Sequence, residues 1–253
     1  MRVAFVGKGG AGKSSLAGTF ARVLASTGER VLALDSDPMP GMAFSLGLDR
    51  TDAGLPDDAV EAYDDEDGRC RYALRAGLTG TETVERYARR SPDGVRFLQL
   101  GKARGPRWDN TRQHFAFQRV LDDLPGDGWS VVGDLPGGTR QPFLTWGRYA
   151  ETFLVVVEPA PASLLTARRL ARLAATERAP RVLAVANKTR HPHDAQWVSE
   201  RTGLDVVGTI PYDPALVDAD RKGRALLDAD PHGVAAAAVR LLVQSLQEQK
   251  EPT

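Results

Sequence analysis

Gly7-Lys8-Gly9-Gly10-Ala11-Gly12-Lys13-Ser14 puts glycines, two lysines and a serine at the G-x-x-x-x-G-K-[ST] spacing that cradles phosphate. Residues 2–6 ahead of it form a short apolar run that reads as a strand. Residues 14–25 behind it carry Leu16, Phe20, Val23 and Leu24 at helical spacing. A strand turning through glycines into a helix leaves backbone N–H groups converging on one spot at the positive end of the helix dipole. The amides of Gly9, Gly10, Ala11, Gly12, Lys13, Ser14 and Ser15 are the candidate cradle. Lys13 is placed to reach the outer phosphates and Ser14 to hold Mg²⁺. The implied ligand is a nucleoside triphosphate.

Phosphoryl transfer also needs a metal-facing carboxylate and an oriented nucleophile. Asp134 follows the apolar pair Val131-Val132, as a Walker B aspartate does, and is a candidate to reach Mg²⁺ through water. Gly137 and Gly138 beyond it suit a loop that approaches a γ-phosphate and moves after hydrolysis. Asp35 and Asp37 close the run at residues 30–34, and a plain turn before Pro38 is the alternative reading of that pair. Asn187 ends another apolar run.

The positioning elements alternate. Apolar runs at 30–34, 95–100, 130–132, 153–157, 181–186 and 205–208 read as strands. Residues 115–124, 163–176, 195–201 and those from 234 onward read as helices, with Gly28 closing the first helix. This pattern predicts an α/β fold: one domain over residues 1–253, a mostly parallel central sheet and helices on both faces. Ligands in such sheets bind beyond the carboxyl ends of the strands, where every candidate residue falls. Residues 49–70 read as an irregular, acidic, solvated loop, with a partner-docking loop as the alternative.

Lysine plus arginine and aspartate plus glutamate both number 33, a balance that argues against a protein-wide footprint for nucleic acid. No apolar stretch is long enough to span a bilayer, and the N-terminal run is no signal peptide. With Cys70 the single cysteine, a reducing, cytoplasmic setting is expected.

The form GKGG-x-GK-[ST] resembles the deviant Walker A motif of the MinD/ParA/ArsA/nitrogenase iron protein group. The resemblance implies a P-loop NTPase domain that binds ATP with Mg²⁺ and dimerises around it. Lys8 would then cross the dimer interface to the partner's nucleotide. It also implies that Asp37 orients the attacking water, that Asp35 lies near the metal shell, and that Asn187 contacts the base. Pro211 and Asp213, in Ile210-Pro211-Tyr212-Asp213, match the second base-side loop. Asn187-Lys188-Thr189-Arg190 lacks the final aspartate of the guanine-reading N-K-x-D, which favours ATP.

Within the group, residues 35–48, 91–102 and 206–213 are most similar to CooC-like accessory ATPases, which implies a protein client. Those proteins carry cysteines between the 95–100 strand and the Walker B aspartate, whereas residues 105–110 here have none. Two copies of Cys70 in a dimer are too few for a four-thiolate cluster, so no iron–sulfur cluster is expected. His191 and His193 read as loop residues. Arg168, Arg169, Arg172 and Arg178 read as a solvated helix face, with DNA binding of the ParA type as the alternative function. A small-molecule ligase or kinase of the dethiobiotin synthetase type is a third class. Val239, Leu242, Val243 and Leu246 form a stripe that reads as packing against the sheet rather than as a membrane anchor.

Overall fold

The computed structural model describes residues 1–37, 41–49, 53–56, 59–101, 111–125, 128–143, 147–176 and 181–249. Val3 and Phe5 lie on one face of β1 (Arg2–Gly7), and Ala4 and Val6 lie on the other. All four are buried, because helices cover both sides of the sheet. The same two-sided burial holds in β2 (Val31–Asp35), β7 (Ser130–Asp134) and β8 (Thr152–Val157), which accounts for their unbroken apolar runs. With β5 (Arg89–Arg90), β6 (Arg96–Gln99), β9 (Arg181–Thr189) and β10 (Val206–Pro211) they form a sheet in the order β10-β9-β8-β1-β7-β2-β6-β5. Every neighbouring pair is parallel except β5 with β6.

One face is covered by α1 (Lys13–Ser26), α2 (Met42–Ser45) and α9 (Val234–Glu248). Phe20 of α1 packs edge-on against Phe5 at 5.5 Å between ring centroids, and both rings are fully buried. Truncating such a ring to alanine costs about 3–5 kcal/mol. Val239, Leu242, Val243 and Leu246 of α9 join this core, as their spacing predicts. The other face is covered by α5 (Pro161–Thr176) and α6 (Asp194–Thr202) over β8 and β9. Beside them, α3 (Gly80–Tyr87) and α4 (Thr111–Asp122) lie over β2 and β6. Gly28, at φ 92°, closes α1 with its N–H on the Ala25 carbonyl.

Residues 49–70 are not wholly irregular. β3 (Val60–Asp64) pairs antiparallel with β4 (Cys70–Leu74), a separate hairpin whose turn carries the acidic run. Asp65 holds that turn by accepting the N–H groups of Asp67 and Arg69 and the Arg71 Nε. Only Val60 of β3 is buried, so the strand lacks the alternation that would announce it. Asp57 and Asp58 lie outside the described residues, as do residues 105–110, Pro38 and Arg178. α4 begins four residues earlier than its apolar spacing suggests. β9 and β10 continue to Thr189 and Pro211.

Candidate functional site: a phosphate cradle at the strand ends

The loop between β1 and α1 opens at the carboxyl edge of the sheet. Gly12 caps α1 at φ 93°, with no side-chain hydrogen bond to the first turn, so that turn's amides stay open to a ligand. A Cβ on Gly12 would lie 2.5 Å from Asn187 Nδ2, so glycine is required by both conformation and space. Lys13 is buried, and its Nζ lies 3.5 Å from the Lys8 carbonyl within the loop. Lys8 is exposed, with its ammonium on the Gly9 carbonyl at 3.2 Å.

The loop after β7 closes over this cradle. A Cβ built on Gly137 would sit 3.3 Å from the Gly9 nitrogen and 3.9 Å from Lys13 Nζ. Asp134, at the end of β7, is 1% exposed and hydrogen-bonded to Ser14. Its Oδ1 has no partner among the described residues. Burial pushes the Asp134 carboxyl up to about 8, and the negative charge of Asp35 adds to the shift. Asp35, also buried, is pushed up to about 6, again chiefly by burial.

Asp35 spends its oxygens on the chain that follows it. Oδ1 accepts the Asp37 N–H at 3.0 Å, and Oδ2 accepts those of Gly41 at 2.9 Å and Met42 at 3.0 Å. Three of roughly four acceptor sites on the carboxylate are thereby taken. Its role in this conformation is to hold Asp37 and the start of α2 through these amides. Asp37 is near enough that its charge raises both neighbours. Gly41 approaches Ser14, where an added Cβ would lie 3.5 Å from Oγ.

Asp35, Asp37 and Asp134 thus gather three carboxyl groups beside Lys13. Among the described residues no cluster of three or more His, Cys, Asp or Glu could hold a metal unaided. Mg²⁺ does not need such a cage, since it takes one or two protein oxygens and completes its shell from phosphate and water. The unpartnered Asp134 oxygen and the Ser14 hydroxyl fit that demand.

Beside the cradle a cleft of about 530 Å³ is lined by Gly12, Ser15, Phe44, Asn187, Pro211 and Tyr212, among others. Asn187 is buried; its Nδ2 donates to the Ala11 carbonyl at 2.7 Å, and its Oδ1 has no partner among the described residues. Asp213 lines the cleft too, but its carboxylate caps α7 (Pro214–Arg221) through the Ala215 N–H at 2.9 Å. The other oxygen accepts the Ala235 N–H of α9 at 3.2 Å. Arg190, where a guanine-reading aspartate would stand, lies over the Tyr212 ring at 3.7 Å.

The structure brings Lys13, Ser14, Asp35, Asp37 and Asp134 to one place, with Asn187, Pro211 and Asp213 along the adjoining cleft. His191 and His193 stand apart and exposed. Sequence reading missed Phe44, Lys188 and Arg221 at the cleft. Phe44 and Arg221 sit on short helices with no pattern to flag them, and the N-K dipeptide was the sole hint for Lys188.

A strand–loop–helix phosphate cradle at the carboxyl edge of a parallel sheet, flanked by a base-sized cleft, defines a P-loop nucleotide-binding domain. The chain belongs to the CobQ/CobB/MinD/ParA nucleotide binding domain family, whose signature matches residues 3–233. It is similar to the carbon monoxide dehydrogenase accessory protein CooC of Rhodospirillum rubrum, at 28% identity over 272 aligned residues. That alignment covers 100% of this chain and 98% of CooC. Its fold is similar to the septum site-determining protein MinD of Pyrococcus horikoshii OT3 complexed with Mg-ADP. The TM-score is 0.72 at 16% identity, covering 98% of this chain and 96% of that one. It is also similar to a chain of the MinC:MinD cell division protein complex of Aquifex aeolicus, with TM-score 0.69 at 18% identity. Coverage there is 100% of this chain and 97% of the other.

Proposed function

We propose that this chain is a Mg²⁺-dependent ATPase that works as a nucleotide switch: ATP joins two copies, hydrolysis separates them, and the joined form acts on a protein client. The observation that carries the reading is the convergence of an open phosphate cradle, a buried carboxyl group with an oxygen unpartnered among the described residues, and a glycine loop lying against the cradle.

The loop amides from Gly9 to Ser15 would bind the phosphates, and buried Lys13 would draw charge from the outer ones. Ser14 and Asp134 would hold Mg²⁺, which supplies charge neutralisation on the phosphate oxygens. Asp37 would orient the attacking water. Gly137 and Gly138 let the loop after β7 lie against the cradle, where the presence or loss of a terminal phosphate would be felt. Exposed Lys8 is free to leave its contact with Gly9 and reach a second copy's nucleotide.

At the base, Asn187 Oδ1 is an acceptor seeking a donor. Adenine presents an amino group there and guanine a carbonyl, so the site favours ATP. A protein client agrees with the similarity to an accessory protein and to a MinD chain complexed with MinC. No helix among the described residues is long and apolar enough to cross a membrane, and a cytoplasmic setting is proposed from the single cysteine.

Titration calorimetry with Mg-ATP and Mg-GTP, phosphate release, and sedimentation velocity with and without nucleotide test this reading. Binding that favours ATP, slow turnover and an ATP-dependent rise in sedimentation coefficient are expected. No heat with Mg-ATP overturns the reading. A second reading, in which the joined form binds DNA, rests on a groove where exposed Arg168, Arg172 and Arg201 converge with no ion pair among the described residues. ATP-dependent DNA binding that falls steeply with salt would favour it.

A further inference from the structure

Asn187 and Lys188 are consecutive in β9, and successive side chains of an extended strand point to opposite faces. Both nevertheless reach the phosphate loop. Asn187 Nδ2 donates to the Ala11 carbonyl at 2.7 Å, and Lys188 Nζ donates to the Gly10 carbonyl at 2.9 Å. The backbone explains how. Asn187 pairs with Ile210 and Thr189 pairs with Pro211, so Lys188 is an extra residue in an irregular step of the ladder against β10. Bulges of this kind re-aim side chains and occur beside active sites.

Lys188 has φ 58°, and it is the one non-glycine residue with positive φ among the described residues. That conformation is unfavourable for a residue with a Cβ, and it persists where the surroundings hold it. Here the holding contacts are the Gly10 carbonyl and Glu158, whose Oε2 is 3.5 Å from the ammonium.

We propose that Lys188 is a positioning residue for nucleotide binding, brought by the bulge to lock the phosphate loop in its anion-binding shape. The proposal rests on the reading of the loop as a triphosphate cradle. Gly10 and Gly12, with φ of 81° and 93°, sit in a segment whose peptide planes turn over readily. A carbonyl turned inward would aim negative charge at the phosphates. Lys188 holds the Gly10 carbonyl outward and Asn187 holds the next one. Two consecutive peptides are therefore fixed before any ligand arrives, and binding does not have to order them.

The experiment compares Lys188→Gly and Lys188→Asn with the unaltered chain by Mg-ATP calorimetry and thermal denaturation. Glycine and asparagine both accept the left-handed conformation without the ammonium. Lys188→Gly is expected to melt no lower than the unaltered chain while binding Mg-ATP about tenfold more weakly. Lys188→Asn should lose affinity similarly, and Lys188→Arg, which keeps a cation on a long stem, should stay within about threefold. A lysine that merely braces the fold would lower the melting temperature and affinity together, and that result in both variants overturns the proposal. So does unchanged affinity in Lys188→Gly when the unaltered chain binds. Absence of Mg-ATP binding by the unaltered chain overturns the cradle reading itself, and the role of Lys188 falls with it.

Discussion

Replacing Gly12 by alanine tests the cradle at its narrowest point. At φ 93° a residue with a Cβ is strained by about 1–3 kcal/mol. The new methyl would also lie 2.5 Å from Asn187 Nδ2, forcing that buried amide off the Ala11 carbonyl. Losing the bond and stranding the amide adds about 1–3 kcal/mol. A total near 3–5 kcal/mol corresponds to a fall of roughly 6–20 °C in Tm for a chain of this size. Gly10→Ala is the control. Its φ is 81°, but nothing lies within 4 Å of an added Cβ, so only the backbone strain of about 1–3 kcal/mol remains, roughly 2–12 °C and always less than Gly12→Ala by the contact term. Scanning calorimetry on both variants, and on Gly12→Ala combined with Asn187→Ala, completes the measurement. The combined variant should cost less than the sum of its parts, because the colliding atom is gone. Equal losses for Gly10→Ala and Gly12→Ala, or strict additivity with Asn187→Ala, would refute the contact as described.

Asp37→Ala should bind Mg-ATP yet release phosphate at least about tenfold more slowly, gathering in the joined form; an unchanged rate reassigns the water-orienting role. Lys8→Ala should bind nucleotide but sediment as a monomer in ATP, and a retained ATP-dependent dimer leaves Lys8 an ordinary loop lysine. Asp134 and Asp35 titrate above their unfolded values near 3.9, so between about pH 4 and 8 these two carboxyls hold more protons in the folded chain than in the unfolded one, an effect that His114, lowered by burial, opposes only in part. Stability without ligand should therefore decline as pH rises through that window, by at least ~3 °C in Tm from pH 5.5 to 8. Saturating Mg-ATP should flatten that slope, and a Tm that climbs with pH would contradict it. Tyr149→Phe removes a buried hydroxyl that has no partner among the described residues. It should leave Tm unchanged or raise it, whereas a loss of more than about 2 kcal/mol by denaturant titration would reveal an overlooked bond.

What was legible in the sequence follows from how local each signal is. The phosphate loop was plain because spacing, glycine and flanking apolar runs lie within some twenty residues. The central strands were plain because burial on both faces leaves unbroken runs such as Phe153 to Val157. The β3–β4 hairpin was hidden because its outward strand carries Glu61, Ala62 and Tyr63 with no alternation. α3 was announced by Thr79 and Glu82, whose reciprocal capping bonds are in the structure, and that signal was passed over. Lys188 was beyond reach, since its aim depends on a register step against a strand some twenty residues later. The locking of Asp35 by Gly41 and Met42 likewise depends on contacts six and seven residues along the chain.

The strand order has a consequence for how the molecule comes into being. β1 leaves the ribosome well before the strands that flank it in the finished sheet, β7 and β8, which lie more than 120 residues downstream. The glycine-rich loop is thus synthesised before its scaffold, which closes only when β7 and β8 have followed, and the adjoining cleft waits for β9 and β10. A growing or truncated chain therefore carries the whole signature without a working cleft. Nucleotide capture becomes a late event that reports completed assembly, so ligand can act as a final check on folding rather than a template for it.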